Sequence, residues 1–269
     1  MQKVRILMKL IKNLLSSRKL IWSLSKNDFK TKYAGSYLGI IWAFVQPVIT
    51  ILVYWFVFQV GFRSSQPAQY PYVLVLVCGI IPWFFFADAL NGGSNALLEY
   101  NYLVKKIVFN IDILPVIKVL SAMFVHVFFV VFTLILAACY GYYPTIYTLQ
   151  IIYYSFCTFA FVLGLVYLTS AVTVFFRDIT QIISIILQVG IWMTPIMWDI
   201  AIIPARLQWI FRINPIYYIV NGYREAILVG RGFWHNGLWT LYFWAVTIIM
   251  FALGSGVFRR LKIHFADVL

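Results

Sequence analysis

NYLVKKIVFNIDILP (Asn101–Pro115) lies between two long apolar runs, and how it is read decides the layout of the whole chain. Two membrane spans bracket it. The adjacent Lys105 and Lys106 put it on the cytoplasmic side by the positive-inside tendency. Too short for a domain, it alternates charge with bulky Leu103, Val104, Ile107, Val108 and Phe109. Two readings fit: a short helix docking into a cleft on another protein, or a basic loop on anionic headgroups. Charge and spacing leave both open.

Composition narrows the class. The 269 residues are 63% hydrophobic and 11% charged, whereas about a quarter of residues are charged in a soluble globular protein. A net charge of +13 would suggest nucleic acid in a soluble chain. Here the basic residues flank apolar runs, so the expected partner is the inner leaflet and not nucleic acid. Cys78, Cys139 and Cys157 all lie within apolar runs, are odd in number and form no CxxC, so neither a disulfide framework nor a zinc site is indicated. No short apolar core with a cleavage site opens the sequence, and the first span is expected to direct insertion.

Outward from the central stretch, hydropathy predicts six spans at about 37–60, 72–97, 116–140, 149–175, 179–198 and 238–258. Residues 1–33 read as an amphipathic helix and its connection, with Leu7, Leu10, Ile11, Leu14 and Leu15 at three- and four-residue steps. Gly35 and Gly39 form a GxxxG, and Pro47 interrupts the first span, which is expected to face protein or a cavity. Asp88 is an acid well inside an apolar run. It is either a polar group on a translocation path or a buried acid paired with a lysine near the cytoplasmic mouth. His126, alone in the third span, reads as a hydrogen-bonding group between helices.

Residues 199–237 carry Pro204 and Pro215 with Arg206, Arg212, Arg224 and Arg231, too broken for a span and too apolar for a free loop. Short helices re-entering the outer leaflet are predicted there. The charges agree with both termini inside. The nine basic residues before the first span, with Lys105, Lys106, Lys118, Arg177, Arg259, Arg260 and Lys262, put sixteen of 21 on inner segments. Arg63 and the four arginines of 199–237 make five outside. The expected class is an all-α membrane protein of six transmembrane helices, with an N-terminal amphipathic helix and re-entrant helices between the fifth and sixth.

Chemistry is excluded as much as indicated. There is no GxxxxGK[ST], HExxH or GxSxG, and eight acids and three histidines are scattered over separate segments. Two functions remain: a transport permease powered by a separate ATPase, or a membrane-embedded transferase using a lipid-linked donor. A transferase needs clustered acids or histidines, so transport is preferred. Aromatic residues make up 19% of the chain. Trp42, Trp83, Phe84, Trp192 and Trp198 are candidates either for packing and interface belts or for stacking on sugar rings along a path.

Seven motifs in order carry a resemblance: YLGIIWAFVQP (Tyr37–Pro47), GIIPWFFF (Gly79–Phe86), NYLVKKIVFNIDILP, FFRDI (Phe175–Ile179), TPIMW (Thr194–Trp198), INPIYYIVNGYRE (Ile213–Glu225) and RRLKIHFADVL (Arg259–Leu269). With this spacing the chain resembles the permease subunits of ABC-2-type exporters of lipid-linked polysaccharides (teichoic acid, O-antigen and capsule exporters), and is most similar in its first and last spans to teichoic acid exporters. It departs at Asn110 and Ile111, where the family often has arginine or proline. The resemblance implies a homodimer in the bacterial cytoplasmic membrane with two copies of an ATPase that binds ATP and Mg. This chain itself would hold no cofactor. Residues 98–115 would be the coupling segment, with Asn101, Leu103, Val104, Lys105, Lys106 and Phe109 meeting the ATPase. Residues 1–33 would be the interface helix and 199–237 an outer gate. Trp42, Trp83, Phe84, Asp88, Trp192 and Trp198 would line the path of a glycan on undecaprenyl pyrophosphate. Arg206, Arg212, Asn214, Tyr223 and Arg224 would stand at the gate, the arginines as receivers of pyrophosphate.

Overall fold

A computed structural model describes residues 16–61, 70–106 and 109–269. The leucine stripe at 7–15, Arg63, Ile107 and Val108 lie outside the described residues. All regular structure among the described residues is helical. Five helices are long and apolar enough to cross a membrane: Gly39–Gly61, Tyr72–Ser94, Ile111–Cys139, Ile146–Thr173 and Phe233–Val268.

The bundle is arranged around α3 (Tyr72–Ser94), which follows α1 (Arg18–Lys32) and α2 (Trp42–Trp55). α3 is apolar on every side until Asp88, Asn91 and Ser94 near its end, and 72% of its most apolar stretch is buried within the chain. Around it stand α6 (Leu114–Cys139), α7 (Gln150–Thr173) and α8 (Ile179–Met193). α2 is the contrast. Only 11% of its span is buried, and Ile49, Leu52, Val53 and Phe56 point away from the chain. α8 likewise buries only Ile183 and exposes Ile182, Ile185, Ile186 and Val189. Such faces suit lipid or another apolar surface.

Two short helices, α4 (Ala96–Glu99) and α5 (Asn101–Val104), connect α3 to α6. Beyond α8 come α9 (Gln208–Arg212) and α10 (Pro215–Arg224), then α11 (Gly237–Leu261) and α12 (Phe265–Val268). α1 packs on α6 through Ile21, Ser25 and Asp28, one face at three- and four-residue spacing. Trp22 and Phe29 flank that face, their rings 5.2 and 5.8 Å from Phe124.

Two sequence expectations change. The fifth span does not continue as helix to 198. α8 stops at Met193, where Thr194 adopts an extended conformation ahead of Pro195. At 15 residues it is about 22 Å long, short of the roughly 30 Å hydrocarbon core. Nor does the GxxxG pack helices. Gly35 and Gly39 hold left-handed φ values of 91° and 51° in the connection between α1 and α2, where a side chain would meet nothing within 4 Å but would strain the backbone.

The close helix approach is elsewhere. A Cβ on Gly254 of α11 would lie 2.2 Å from the Gly164 carbonyl oxygen of α7, and one on Gly164 would lie 2.9 Å from the Phe251 nitrogen. The two helices therefore meet backbone to backbone, as small residues permit in membranes. Gly254→Leu should lower the melting temperature and monodisperse yield in detergent, since overpacking costs about 1–3 kcal/mol or more. Gly256→Ala, two residues on with open space around it, should leave both unchanged or raise them.

Candidate functional site

The salt bridges among the described residues gather at one end of the bundle. Lys118 is the charge within the third apolar run, and as an ammonium there it requires acceptors. Its Nζ stands 2.7 Å from an Asp28 carboxylate oxygen on α1 and 2.5 Å from Glu99 at the end of α4. The Tyr100 hydroxyl donates to Asp28 at 2.6 Å, and the Lys118 ammonium lies 5.3 Å from the Tyr100 ring centre. Burial pushes the Tyr100 phenol up from its ordinary value, and the bond to Asp28 adds to this. Nearby, Lys32 pairs with Asp88 at 2.5 Å. Burial works against the Lys32 charge, but attraction to Asp88 and their hydrogen bond together outweigh it, so the ammonium titrates above an ordinary lysine. On the other flank Lys262 pairs with Asp112 at 2.6 Å, and the Tyr167 hydroxyl donates to the Asp112 backbone carbonyl at 2.8 Å. α1, the 99–112 connection and the C-terminal tail thus meet at one basic end.

Between these flanks the predicted coupling residues divide. Asn101, Lys105 and Lys106 are exposed together with Tyr102, no salt bridge involves either lysine among the described residues, and Leu103 and Phe109 are half-buried. Val104 is 3% exposed and belongs to the chain's own core, so it supports the segment and does not present itself to a partner.

Above the Lys32–Asp88 pair, α2, α3 and α6 enclose a cavity of about 280 Å³. Trp42, Gln46 and Thr50 line it from α2, Phe84, Asp88 and Asn91 from α3, and His126 from α6. The lining is mostly apolar and aromatic, and Gln46, Thr50, Asp88 and Asn91 are polar groups within it. His126 is held as an interhelical group. Its Nε2 lies 3.0 Å from Ser155 Oγ and 3.1 Å from Tyr223 Oη, with its ring stacked on Phe85. Trp83 is 5% exposed and packs toward Gly190 of α8, away from that cavity.

At the opposite end most polar groups serve the backbone. Asn214 caps α10 by accepting from the Ile216 N–H at 3.0 Å and donates to Thr194 Oγ1 at 2.8 Å. Arg224 donates to the Ile196 carbonyl at 2.7 Å and the Val75 carbonyl at 3.3 Å, while lining a cavity of about 300 Å³ with Trp198, Asp199 and Tyr217. Arg212 donates to Gln208 at 2.9 Å, and Arg206 is exposed. Trp198 donates to the Trp192 carbonyl at 3.2 Å, and Trp192 is itself exposed. Tyr223 is buried against His126 and Ser155. The structure therefore brings Trp42, Phe84 and Asp88 to one cavity and Trp198 and Arg224 to another.

Sequence reasoning missed Asp28, Glu99, Tyr100, Asp112 and Lys262 as a set. Two signals were present: Asp28 is an acid in a strongly basic helix, and Lys118 is a charge in an apolar run. Pairing them requires the fold. No group of three or more His, Cys, Asp or Glu among the described residues is placed to hold a metal.

Known proteins share this chain's pattern along its length. It is 27% identical to the O-antigen export system permease protein RfbA of Myxococcus xanthus over 97% of this chain and 99% of that protein. It is 24% identical to the protein of the same name from Klebsiella pneumoniae over 91% and 93%, respectively. With the polysialic acid transport protein KpsM of Escherichia coli the identity is 21%, over 86% and 89%. The ABC-2 type transporter family matches residues 19–228, most of the chain, which therefore belongs to that family.

Proposed function

We propose that this chain is the permease subunit of an ATP-driven exporter that moves a lipid-linked polysaccharide of the O-antigen or capsule class across the bacterial cytoplasmic membrane. Family membership and the names of full-length relatives support the class of cargo. Undecaprenyl pyrophosphate as the carrier, and teichoic acid as a further candidate glycan, rest on the sequence resemblance alone. ATP and Mg are bound by a separate ATPase, present in two copies beside two copies of this chain.

The observation that carries the reading is the exposed Asn101–Tyr102–Lys105–Lys106 surface, set at the basic end between two salt-bridged flanks. A segment so anchored can receive a push and pass it on. A loop lying on headgroups needs no such anchoring. Six crossings are supported by how the ends meet. α1 and the Lys262 tail both lie at the basic end, so the number of crossings is even. α8 leaves that end, and the turn after it reaches Gly79 and the Val75 carbonyl on α3 through Ile196 and Arg224. Re-entry of the gate region is supported by Tyr223 of α10, which reaches His126 at the middle of α6. The basic end is cytoplasmic by the positive-inside tendency.

In this mechanism the carrier's tail stays in the bilayer while its headgroup and sugars pass a protein-lined path, which avoids bare charge in hydrocarbon. The Trp42–Phe84–Asp88 cavity receives polar groups from the inner side. At the outer side, Arg206 has a guanidinium free of the backbone duties that occupy Arg224.

Co-expression of the tagged chain with its ATPase tests the docking surface. Wild type should retain the ATPase in stoichiometric amount, and a Lys105→Glu, Lys106→Glu double variant should lose it. Equal retention by both would remove this segment as the docking element. Light scattering of the complex should return two copies of each chain, the bare faces of α2 and α8 being covered by the second copy; a single copy would overturn the dimer. Arg206→Gln should cut export about tenfold, the scale of a lost charge-assisted bond to phosphate, at unchanged membrane abundance. Unchanged export would exclude Arg206 from phosphate contact.

A further inference from the structure

Lys118 is a nearly buried cation shared by three elements of the chain. Its side chain is 10% exposed, and its ammonium bridges Asp28 of α1, 5% exposed, and Glu99 of α4. Glu99 is separated from the exposed Asn101 only by Tyr100, whose hydroxyl also binds Asp28. The segment that would meet the ATPase is thus joined to α1 through the Lys118 ammonium, on which three chain elements converge, and through the Tyr100 hydroxyl. α1 in turn holds Lys32 against Asp88, and Asp88 lines both the small polar pocket that contains Lys118 and the larger cavity of α2, α3 and α6.

The Lys118–Asp28 pair is nearly buried on both sides and suits transmission between α6 and α1: withdrawing one partner leaves a desolvated charge uncompensated, so the two helices move together more readily than apart. Glu99, 52% exposed, joins this pair from the coupling side. Contacts through Ile21, Trp22 and Phe29 make α1 ride on α6; the Tyr100–Asp28 bond joins α1 to the coupling segment, and the Lys118 bridge joins both helices to it at once. On the far flank, the Asp112–Lys262 pair has a more exposed lysine (32%) and leads to the C-terminal tail, away from the cavity mouth.

We propose that Lys118 is the positioning residue that carries motion of the coupling segment, through Asp28 and α1, to the Lys32–Asp88 pair at the mouth of the inner cavity. This rests on the reading that Asn101–Lys106 docks an ATPase. Motion entering at Glu99 is passed to Asp28, tilts α1, and separates or closes Lys32 on Asp88, so the mouth opens in step with the ATPase. The residue touches neither nucleotide nor cargo.

The test uses the full complex, with Lys118→Met, Lys118→Arg and Glu99→Gln made in the chain co-expressed with its ATPase. Bound ATPase, ATP hydrolysis in proteoliposomes and export of the cell's own surface glycan are measured for each. Lys118→Met should export about tenfold less than wild type, mid-range for a coupling free energy between two sites, with bound ATPase and hydrolysis retained. Lys118→Arg, which keeps both ion pairs, should restore export. Glu99→Gln, at a half-exposed carboxylate, should lose part of it and serves if Lys118→Met does not accumulate. Wild-type export in Lys118→Met or Glu99→Gln overturns the proposal. So does loss of bound ATPase in proportion to export, since that assigns Lys118 to supporting the docking face. Retention of the ATPase by the Lys105→Glu, Lys106→Glu variant would instead fail the docking reading, whatever Lys118 does.

Discussion

In apolar surroundings a side chain can face lipid freely, whereas an unpaired backbone carbonyl or N–H costs several kcal/mol. That constraint places most of the polar residues here. Where α8 ends, the Ile196 carbonyl is taken by Arg224, the Met197 carbonyl by the Tyr72 hydroxyl and the Trp192 carbonyl by the Trp198 indole. At the entry to the last span, one Gln150 amide donates to the Arg231 carbonyl and accepts from the Phe233 N–H. The backbone of the broken 194–237 region is completed partly by its own side chains, Arg224 and Trp198, and partly by Tyr72 and Gln150 of the intact helices.

The same constraint sorts functional candidates from structural ones. Arg224 and Asn214 look in sequence like a polar gate and Trp198 like part of a path, yet each is bonded to the backbone or its caps. Their substitution perturbs the fold before any chemistry of recognition. Arg206, and the Asn101–Lys106 surface, carry charge or polarity that the fold does not use. The ion pairs of the basic end are intermediate: they support structure, and they join elements that have to move relative to each other in a transporter.

The architecture was largely legible in the sequence. Long apolar runs marked the crossings because hydrocarbon admits little else, and charge asymmetry gathered the same segments that the structure gathers at one end. Two features were hidden. A sliding reading of hydropathy carried the fifth run through Met193 to Trp198, since Ile196, Met197 and Trp198 are as apolar as the helix before them. Only Thr194 and Pro195 mark the stop. Glycine spacing favoured Gly35 and Gly39, whereas the pair that matters, Gly164 and Gly254, is ninety residues apart and announces itself only through contact. The Asp28–Lys118–Glu99 set escaped for the same reason: ion pairs across elements leave no periodicity.

The shortness of α8 bears on the lipid as well as the protein. A helix of 15 residues falls about 8 Å short of the hydrocarbon core, and wherever such a helix meets lipid the bilayer accommodates the mismatch by thinning. Such thinning would bring headgroups and water to the level of Thr194 and Pro195, and Pro195 lines the cavity that holds Arg224, Trp198 and Asp199. A charged group crossing beside α8 would then be out of water over a shorter distance, through the membrane's own deformation and before any side chain touches it.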